Sequence, residues 1–134
     1  QKLWYDMEFK KSWNSSTQPK KQRKYRHNAP LHIKHKFMAS HLSKELRQKH
    51  SKRSITLRKG DKVKIMRGNF KGKVGVIEKV SSKMEKVFLN EIEVIKKDGT
   101  KQLVPLNPSN LLIIQLNTDD KKRKLKSEKK NDKK

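Results

Sequence analysis

The chain has no cysteine, few acidic residues and no long apolar run. Without cysteine it can form no disulfide, thiolate zinc site or cysteine nucleophile. No stretch approaches the roughly 18 consecutive apolar residues that a membrane span requires. The N-terminal residues also lack the apolar core of a secretory signal. These absences argue against a disulfide-stapled scaffold and against a membrane-spanning protein.

Positive charge is what the sequence has in excess. Its 134 residues include 37 Lys and Arg but only 13 Asp and Glu, which gives a formal net charge of +24. Self-repulsion on this scale disfavours a compact isolated state and favours binding to a polyanion. The two candidate partners are nucleic acid and an anionic membrane surface. An ordinary soluble enzyme is not expected to carry this charge.

The excess charge lies mostly at the two ends of the chain. Residues 1–59 have a net charge of +14, residues 60–120 of +3, and residues 121–134 of +7. The nearly balanced middle also carries the most regular apolar pattern. We therefore predict three parts: a basic N-terminal extension with short helices at 1–53, a folded module at 54–118, and a lysine-rich tail at 119–134 that is either a helix on RNA or disordered.

The segment from Asp61 to Val80 is the clearest pattern in the chain and predicts a strand, a glycine-rich turn and a second strand. Val63 and Ile65 alternate with lysines, which indicates one buried and one basic face. The three glycines of the segment allow positive φ or close backbone approach. Cations between those glycines suit the turn to a phosphate backbone. The second strand does not alternate cleanly, which predicts a bulge near Gly75.

Short helices are expected before this module. Pro19 is suited to a first helical position, and the Asn28-Ala-Pro30 sequence should end that helix. Ser40 or Ser43 could cap another helix that ends near His50. The aromatic residues of the first 18 positions could stack on bases, but we expect them to pack locally or on a protein neighbour; they are Trp4, Tyr5, Phe9 and Trp13.

About six short strands are predicted between residue 55 and residue 116. Asp98-Gly99 predicts a two-residue hairpin loop with positive φ at both positions. Leu111–Leu116 is the most apolar strand and is expected to be central. Turns at short intervals predict a mostly β fold built on a small antiparallel barrel, closed or nearly closed.

No catalytic constellation stands out, and no catalytic residue, metal site or cofactor is predicted. Glu91 and Glu93 would share a strand face and could resemble an acid/base pair, but a solvated strand face is the better interpretation. His32 and His35 have no carboxylate or cysteine nearby in sequence, so phosphate or base contact is favoured over metal binding.

Segments throughout the chain resemble one protein family. The Val63–Val80 segment looks like a KOW motif, a strand–loop–strand signature of several ribosomal and transcription proteins. The flanking segments are more specific and are similar to ribosomal protein L twenty-four in its archaeal and eukaryotic form, over about residues 19–116. Those segments are Gln22-Arg-Lys-Tyr-Arg-His-Asn-Ala-Pro-Leu-His-Ile-Lys-His-Lys36, Leu42-Ser-Lys-Glu-Leu-Arg47, Arg58-Lys-Gly-Asp-Lys-Val-Lys64, Met66-Arg-Gly-Asn-Phe-Lys-Gly72 and Asn107-Pro-Ser-Asn110. The short loop of residues 70–75 indicates the archaeal form, and residues 1–11 do not match the family.

The resemblance implies an SH3-like barrel in the large ribosomal subunit, in the cytoplasm. It further implies binding to the 5′ domain of large-subunit rRNA, a role in early subunit assembly, and a place near the exit of the peptide tunnel. Expected partners are this rRNA and neighbouring large-subunit proteins, with no small-molecule substrate. The alternatives are a KOW-domain transcription elongation factor, which would usually need a second domain, and a nucleic-acid-modifying enzyme.

The predicted RNA contacts combine the cationic turn with the basic segments before it. They are Lys20, Lys21, Arg23, Lys24, Arg26, His32, Lys34, His35, Lys36, Arg47, Arg53, Arg58, Lys62, Lys64, Arg67, Gly68, Asn69, Lys71, Gly72 and Lys73.

Overall fold

The N-terminal part is helical. A computed structural model describes residues 9–120 and Arg123, so Trp4, Tyr5 and most of the lysine-rich tail lie outside the described residues. A 3-10 helix at Lys11–Ser15 leads to α1, Pro19–Asn28, and α2, Leu31–Phe37. Pro19 is the first helical residue, as predicted, because proline has the φ of a helix and lacks only an N–H that would have no helical partner there.

A small aromatic cluster holds this helical part together. Tyr25 is the buried side chain of α1. Its ring centroid lies 5.2 Å from that of Phe9 and 5.9 Å from that of Phe37. Trp13 lies beneath the ammonium group of Lys24, 5.9 Å from it. Phe9 and Trp13 therefore pack locally, which was the favoured expectation for them.

Eight short strands and one more helix make up the rest of the described chain. They are β1 at Ala39–Leu42, α3 at Lys44–His50, β2 at Ser54–Thr56, β3 at Lys62–Ile65, β4 at Val74–Ser81, β5 at Lys86–Leu89, β6 at Glu93–Ile95, β7 at Lys101–Leu103 and β8 at Leu111–Gln115. A 3-10 helix at Pro108–Asn110 precedes β8 directly. The Ser43 hydroxyl accepts a hydrogen bond from the backbone N–H of Leu46 and caps α3, as predicted.

Six strands form one sheet in the order β2-β1-β8-β3-β4-β5, and among the described residues β6 pairs only with β7. The interior position of β8 confirms the prediction for the most apolar strand. Within the described residues the ladder does not close, and β2 and β5 are its two edges. The mostly β expectation holds, and the strand pairs within residues 54–118 are antiparallel, as predicted. Strand β1, which precedes that module, runs parallel to β8. Parallel neighbours need a long connection, and almost the whole module separates these two strands.

One hydrophobic core lies behind the sheet. Val63 and Ile65 are buried on β3 while Lys62 and Lys64 between them are exposed, which confirms the predicted alternation. The other fully buried apolar side chains are Met38, Leu42, Ile77, Val87, Leu89, Ile92, Leu111 and Ile113. Met38 and Leu42 come from the predicted extension, so the end of that segment supplies part of the core.

Local geometry corrects three predictions in the second half of the module. Between β6 and β7, Lys96 and Thr100 enclose a turn of three residues, 97–99: the N–H of Lys96 donates to the Thr100 carbonyl, and the N–H of Gly99 to the Lys96 carbonyl. Only Gly99 of the Asp98-Gly99 pair has positive φ, at 83°. Glu91 is not on a strand; it lies in a turn with φ of 66°. It therefore does not share a strand face with Glu93.

The third correction concerns the irregularity in β4. The register shift against β5 lies between Ile77 and Lys79, rather than at Gly75. Gly75 pairs regularly with Val63. A Cβ at Gly75 would lie 3.2 Å from the Asn90 carbonyl oxygen. Glycine is present there because another backbone segment passes close to it.

Candidate nucleic-acid interface

The β3–β4 loop, residues 66–73, is a tight and well-bonded turn. Gly68 and Gly72 have φ of 97° and 88°, which side-chain-bearing residues rarely adopt. The N–H of Gly72 donates to the Ile65 carbonyl at 2.8 Å, and the N–H of Lys71 to the Gly68 carbonyl at 3.1 Å. Phe70 is half-buried against the core and anchors the tip. The glycines serve the turn geometry, and the rest of the loop faces solvent.

The polar side chains of this loop are exposed together. Arg67, Asn69, Lys71 and Lys73 are all exposed, and the ammonium of Lys73 lies 5.3 Å from the Phe70 ring centroid. Short-range hydrogen bonds fix the backbone beneath them. Three cations and an amide are thus presented on a rigid turn, an arrangement that suits contact with phosphates more than burial.

The base of the loop rests on the Pro108–Asn110 helix. The N–H of Met66 donates to the Asn110 carbonyl at 2.8 Å, and the buried Ser40 hydroxyl donates to the Pro108 carbonyl. Strand β1 therefore supports the loop through this short helix. This supporting role was not evident from the sequence, since nothing in it links Ser40 to Pro108.

A second group of exposed cations lies on α1. Lys20, Lys21, Arg23 and Lys24 are exposed, whereas Tyr25 turns inward. The carboxamide of Gln22 donates to the carbonyls of the preceding turn, at 2.6 Å to Ser16. The helix is therefore held by Tyr25 and Gln22, which leaves its cationic surface available to solvent.

Four of the predicted contacts are engaged within the protein. Arg26 forms an ion pair with Glu85 at 2.6 Å, and His35 shares a hydrogen bond of 2.9 Å with Ser82. The Arg47 side chain donates to the Leu42 carbonyl at 2.9 Å. The remaining engaged residue is Arg58, whose guanidinium is paired with Asp120. These side chains hold elements of the protein together. If they also contact RNA, they must do so while keeping these internal partners or by exchanging them.

The other predicted cations lie on the surface. Lys34 is half-buried, and the rest are exposed: His32, Lys36, Arg53, Lys62 and Lys64. Lys62 and Lys64 point away from the core on β3, opposite the exposed Val76 and Val74 of β4. The structure thus brings together the residues of the β3–β4 loop, while the α1 cations lie on a different element.

A buried ion pair was not foreseen. Asp61 is wholly buried, and its carboxylate accepts two hydrogen bonds from the Arg123 guanidinium, at 2.5 and 2.8 Å. It also accepts one from the N–H of Arg58 and one from the N–H of Asn117, each at 2.9 Å. The signal in the sequence was slight: an arginine among lysines, the residue suited to bidentate carboxylate pairing.

The described part of the chain offers no group of three His, Asp or Glu side chains that could hold a metal ion. None of its helices is long and apolar enough to cross a membrane.

Comparison with known proteins identifies the family. Residues 16–130 match the family model that describes the eukaryotic ribosomal proteins L twenty-six together with the archaeal ribosomal proteins L twenty-four. The match begins after the stretch 1–11, which had shown no resemblance. The chain is also 47% identical over 106 residues to the "Large ribosomal subunit protein uL24" of Methanocorpusculum labreanum, covering 79% of this chain and 88% of the relative. These matches do not favour a transcription elongation factor. The chain therefore belongs to this family of ribosomal proteins and is a structural protein of the large subunit.

Proposed function

We propose that this protein binds the 5′ domain of large-subunit rRNA and acts early in assembly of the subunit, near the exit of the peptide tunnel. Its β module, 54–118, acts as an SH3-like KOW barrel, with the N-terminal extension 1–53 and the tail 119–134 as basic arms. Family membership supports the location, and the charge of +24 supports a polyanionic partner. The site of action is the cytoplasm, in the ribosome, alongside neighbouring large-subunit proteins.

The observation that carries this proposal is the rigid, cationic β3–β4 loop. Arg67, Lys71 and Lys73 stand together on a backbone fixed by two positive-φ glycines. Such a loop can meet phosphates without first becoming ordered, so little conformational entropy is lost on binding. Contacts of this kind release counterions and hold the RNA backbone in place, while sequence is read elsewhere.

The α1 cations would add a second contact. Lys20, Lys21, Arg23 and Lys24 lie on a helix whose aromatic side points inward. Cationic groups on two different elements of one small protein could bridge two RNA segments. Bridging by charge and shape is a mechanism for assembly that needs no catalytic group, and we propose no enzymatic activity.

The test is the salt dependence of binding to a transcript of the 5′ domain of large-subunit rRNA. Replacing Arg67, Lys71 and Lys73 with Ala should reduce the magnitude of the slope of log affinity against log salt concentration by about 2–3. The reason is that each phosphate contact adds roughly 0.7–0.9 to that magnitude. The matched control replaces three exposed lysines of the β6–β7 hairpin with Ala and removes the same charge: Lys96, Lys97 and Lys101. Equal slopes for the two triple variants would show that the β3–β4 loop is not part of the RNA interface.

A further inference from the structure

A cavity of about 740 Å³ lies away from the β3–β4 loop, where the turn after β2 meets the bulge of β4. Val80 is half-buried and provides apolar surface within it, whereas Leu57 also lines it but is only 3% exposed. Lys59 and Lys79 are exposed on its rim, and His35 of α2 lines one side. Apolar surface bordered by cations is the composition that accommodates a base together with its phosphate.

The walls of this cavity are built from fixed elements. The turn after β2 is tied down by the bond from the N–H of Arg58 to the Asp61 carboxylate at 2.9 Å. The opposite wall is fixed by the N–H of Gly60 donating to the Ile77 carbonyl at 2.9 Å. The hydrogen bond of 2.9 Å between His35 and Ser82 joins α2 to the turn that follows β4. The cavity is therefore preformed, and an occupant would not have to order it.

The β4 bulge explains why a cavity forms here. The register shift against β5 lies between Ile77 and Lys79, and both Glu78 and Lys79 line the cavity. Bulges bend a strand and redirect its side chains. Apart from Glu78, the charged groups around the cavity are cationic: Arg58, paired with Asp120, with Lys59 and Lys79. Because Arg58 is paired and Glu78 is anionic, Lys59 and Lys79 leave the cavity with a small positive excess, which favours an anionic occupant.

We propose that this cavity receives a single unstacked nucleotide of the bound RNA. The base would rest on the apolar surface of Val80, and its phosphate would meet Lys59 and Lys79. Unstacked bases are the usual means by which proteins recognise RNA outside regular helices. The proposal rests on the proposed rRNA binding and assigns it a third contact, distinct from the β3–β4 loop and from α1.

The first test compares two exposed lysines of equal charge that lie four positions apart. Lys79 lines the cavity, whereas Lys83 is exposed on the following turn and does not. Lys79→Ala should weaken binding to the rRNA transcript by severalfold and lower the salt slope by about 1. Lys83→Ala should leave the slope unchanged. Equal slopes for the two variants would overturn the proposal.

The second test locates the nucleotide. Cross-linking of a 4-thiouridine-substituted transcript to the full chain, followed by peptide mapping, should give a cross-linked peptide containing residues 56–59 or 79–82. Cross-links confined to other residues, with wild-type affinity intact, would overturn the cavity proposal but leave rRNA binding in place. Failure of the wild-type chain to bind the transcript at all would instead overturn the proposed function.

The third test separates an RNA nucleotide from a free one. AMP is titrated into the full chain and amide chemical shifts around the cavity are compared with those in the RNA complex. We expect the RNA complex to shift the same amides as AMP. If the amides around the cavity shift with AMP but not on RNA binding, the occupant is a free nucleotide and the proposal that it belongs to the bound RNA is overturned.

Discussion

Removing the buried Asp61 carboxylate should be among the most damaging single changes in the chain. Its two oxygens accept four hydrogen bonds, two from the Arg123 guanidinium and one each from the N–H groups of Arg58 and Asn117. Arg123 in turn also donates to the Thr56 carbonyl at 3.1 Å and to the Asn117 carbonyl at 3.0 Å. The pair joins the turn before β3, the end of β2 and the segment after β8.

The expected loss of unfolding free energy depends on which buried groups each substitution leaves without a partner. Asp61→Ala leaves a buried cation, at a cost of roughly 3–5 kcal/mol. It also leaves two N–H groups without an acceptor, at roughly 1–3 kcal/mol each if neither finds another partner. Arg123→Met leaves the carboxylate with its two backbone donors, so its cost should lie at the lower end, about 3 kcal/mol. Against a total stability of about 5–15 kcal/mol, Asp61→Ala should bring the chain close to unfolding.

Urea denaturation of the full chain, monitored by circular dichroism, measures the unfolding free energy lost in Asp61→Ala and in Arg123→Met. Asp119→Ala is the matched control, because Asp119 is an exposed carboxylate in the same region. The double variant Asp61→Ala/Arg123→Met should be less destabilised than the sum of its parts, since no buried charge remains. A cost below about 1 kcal/mol for Asp61→Ala would refute the reasoning that this pair fastens the segment after β8 to the module.

Two further changes test local parts of the structure. Gly75→Val should cost about 1–3 kcal/mol, because its Cβ would lie 3.2 Å from the Asn90 carbonyl oxygen; a denaturation midpoint equal to wild type would contradict the close approach. Hydrogen bonds from the side chain and backbone N–H of Thr100 lower the pKa of Asp98. This contribution to hairpin stability is present above the ordinary carboxyl pKa and is lost as pH falls through the lowered value. Thr100→Val should raise the Asp98 pKa towards its ordinary value in an NMR titration, and an unchanged pKa would count against the side-chain bond.

Sequence reasoning succeeded where the determining signal is local. Pro19 begins α1 and Ser43 caps α3, and each effect depends on residues within one turn of helix. The alternation of Val63 and Ile65 with lysines defined the buried face of β3. These features need no knowledge of the rest of the chain.

Features that depend on distant residues could not be predicted. The Ala39–Leu42 segment has no clear alternation, and it becomes β1 because its edges meet β2 and β8. Asp61 and Arg123 are 62 residues apart, so their pairing needs the folded chain.

The candidate interface likewise has features that the sequence indicates and features that only the folded chain shows. Composition alone indicates a polyanionic partner, and the glycine spacing indicates a cationic turn. Which cations are committed to internal partners is a matter of tertiary structure: Arg26 pairs with Glu85 and Arg58 with Asp120. The cavity beside the β4 bulge was also invisible in the sequence, because its lining comes from α2, the turn after β2 and β4.

The most direct test of the account is sedimentation of the tagged full chain with ribosomal subunits at low and high salt. Binding to large-subunit rRNA through many phosphate contacts predicts that the protein migrates with the large subunit at low salt and is progressively released as salt rises. The triple variant of the β3–β4 loop should be released at lower salt than the triple variant of the β6–β7 hairpin. Migration away from the large subunit at low salt would contradict the account.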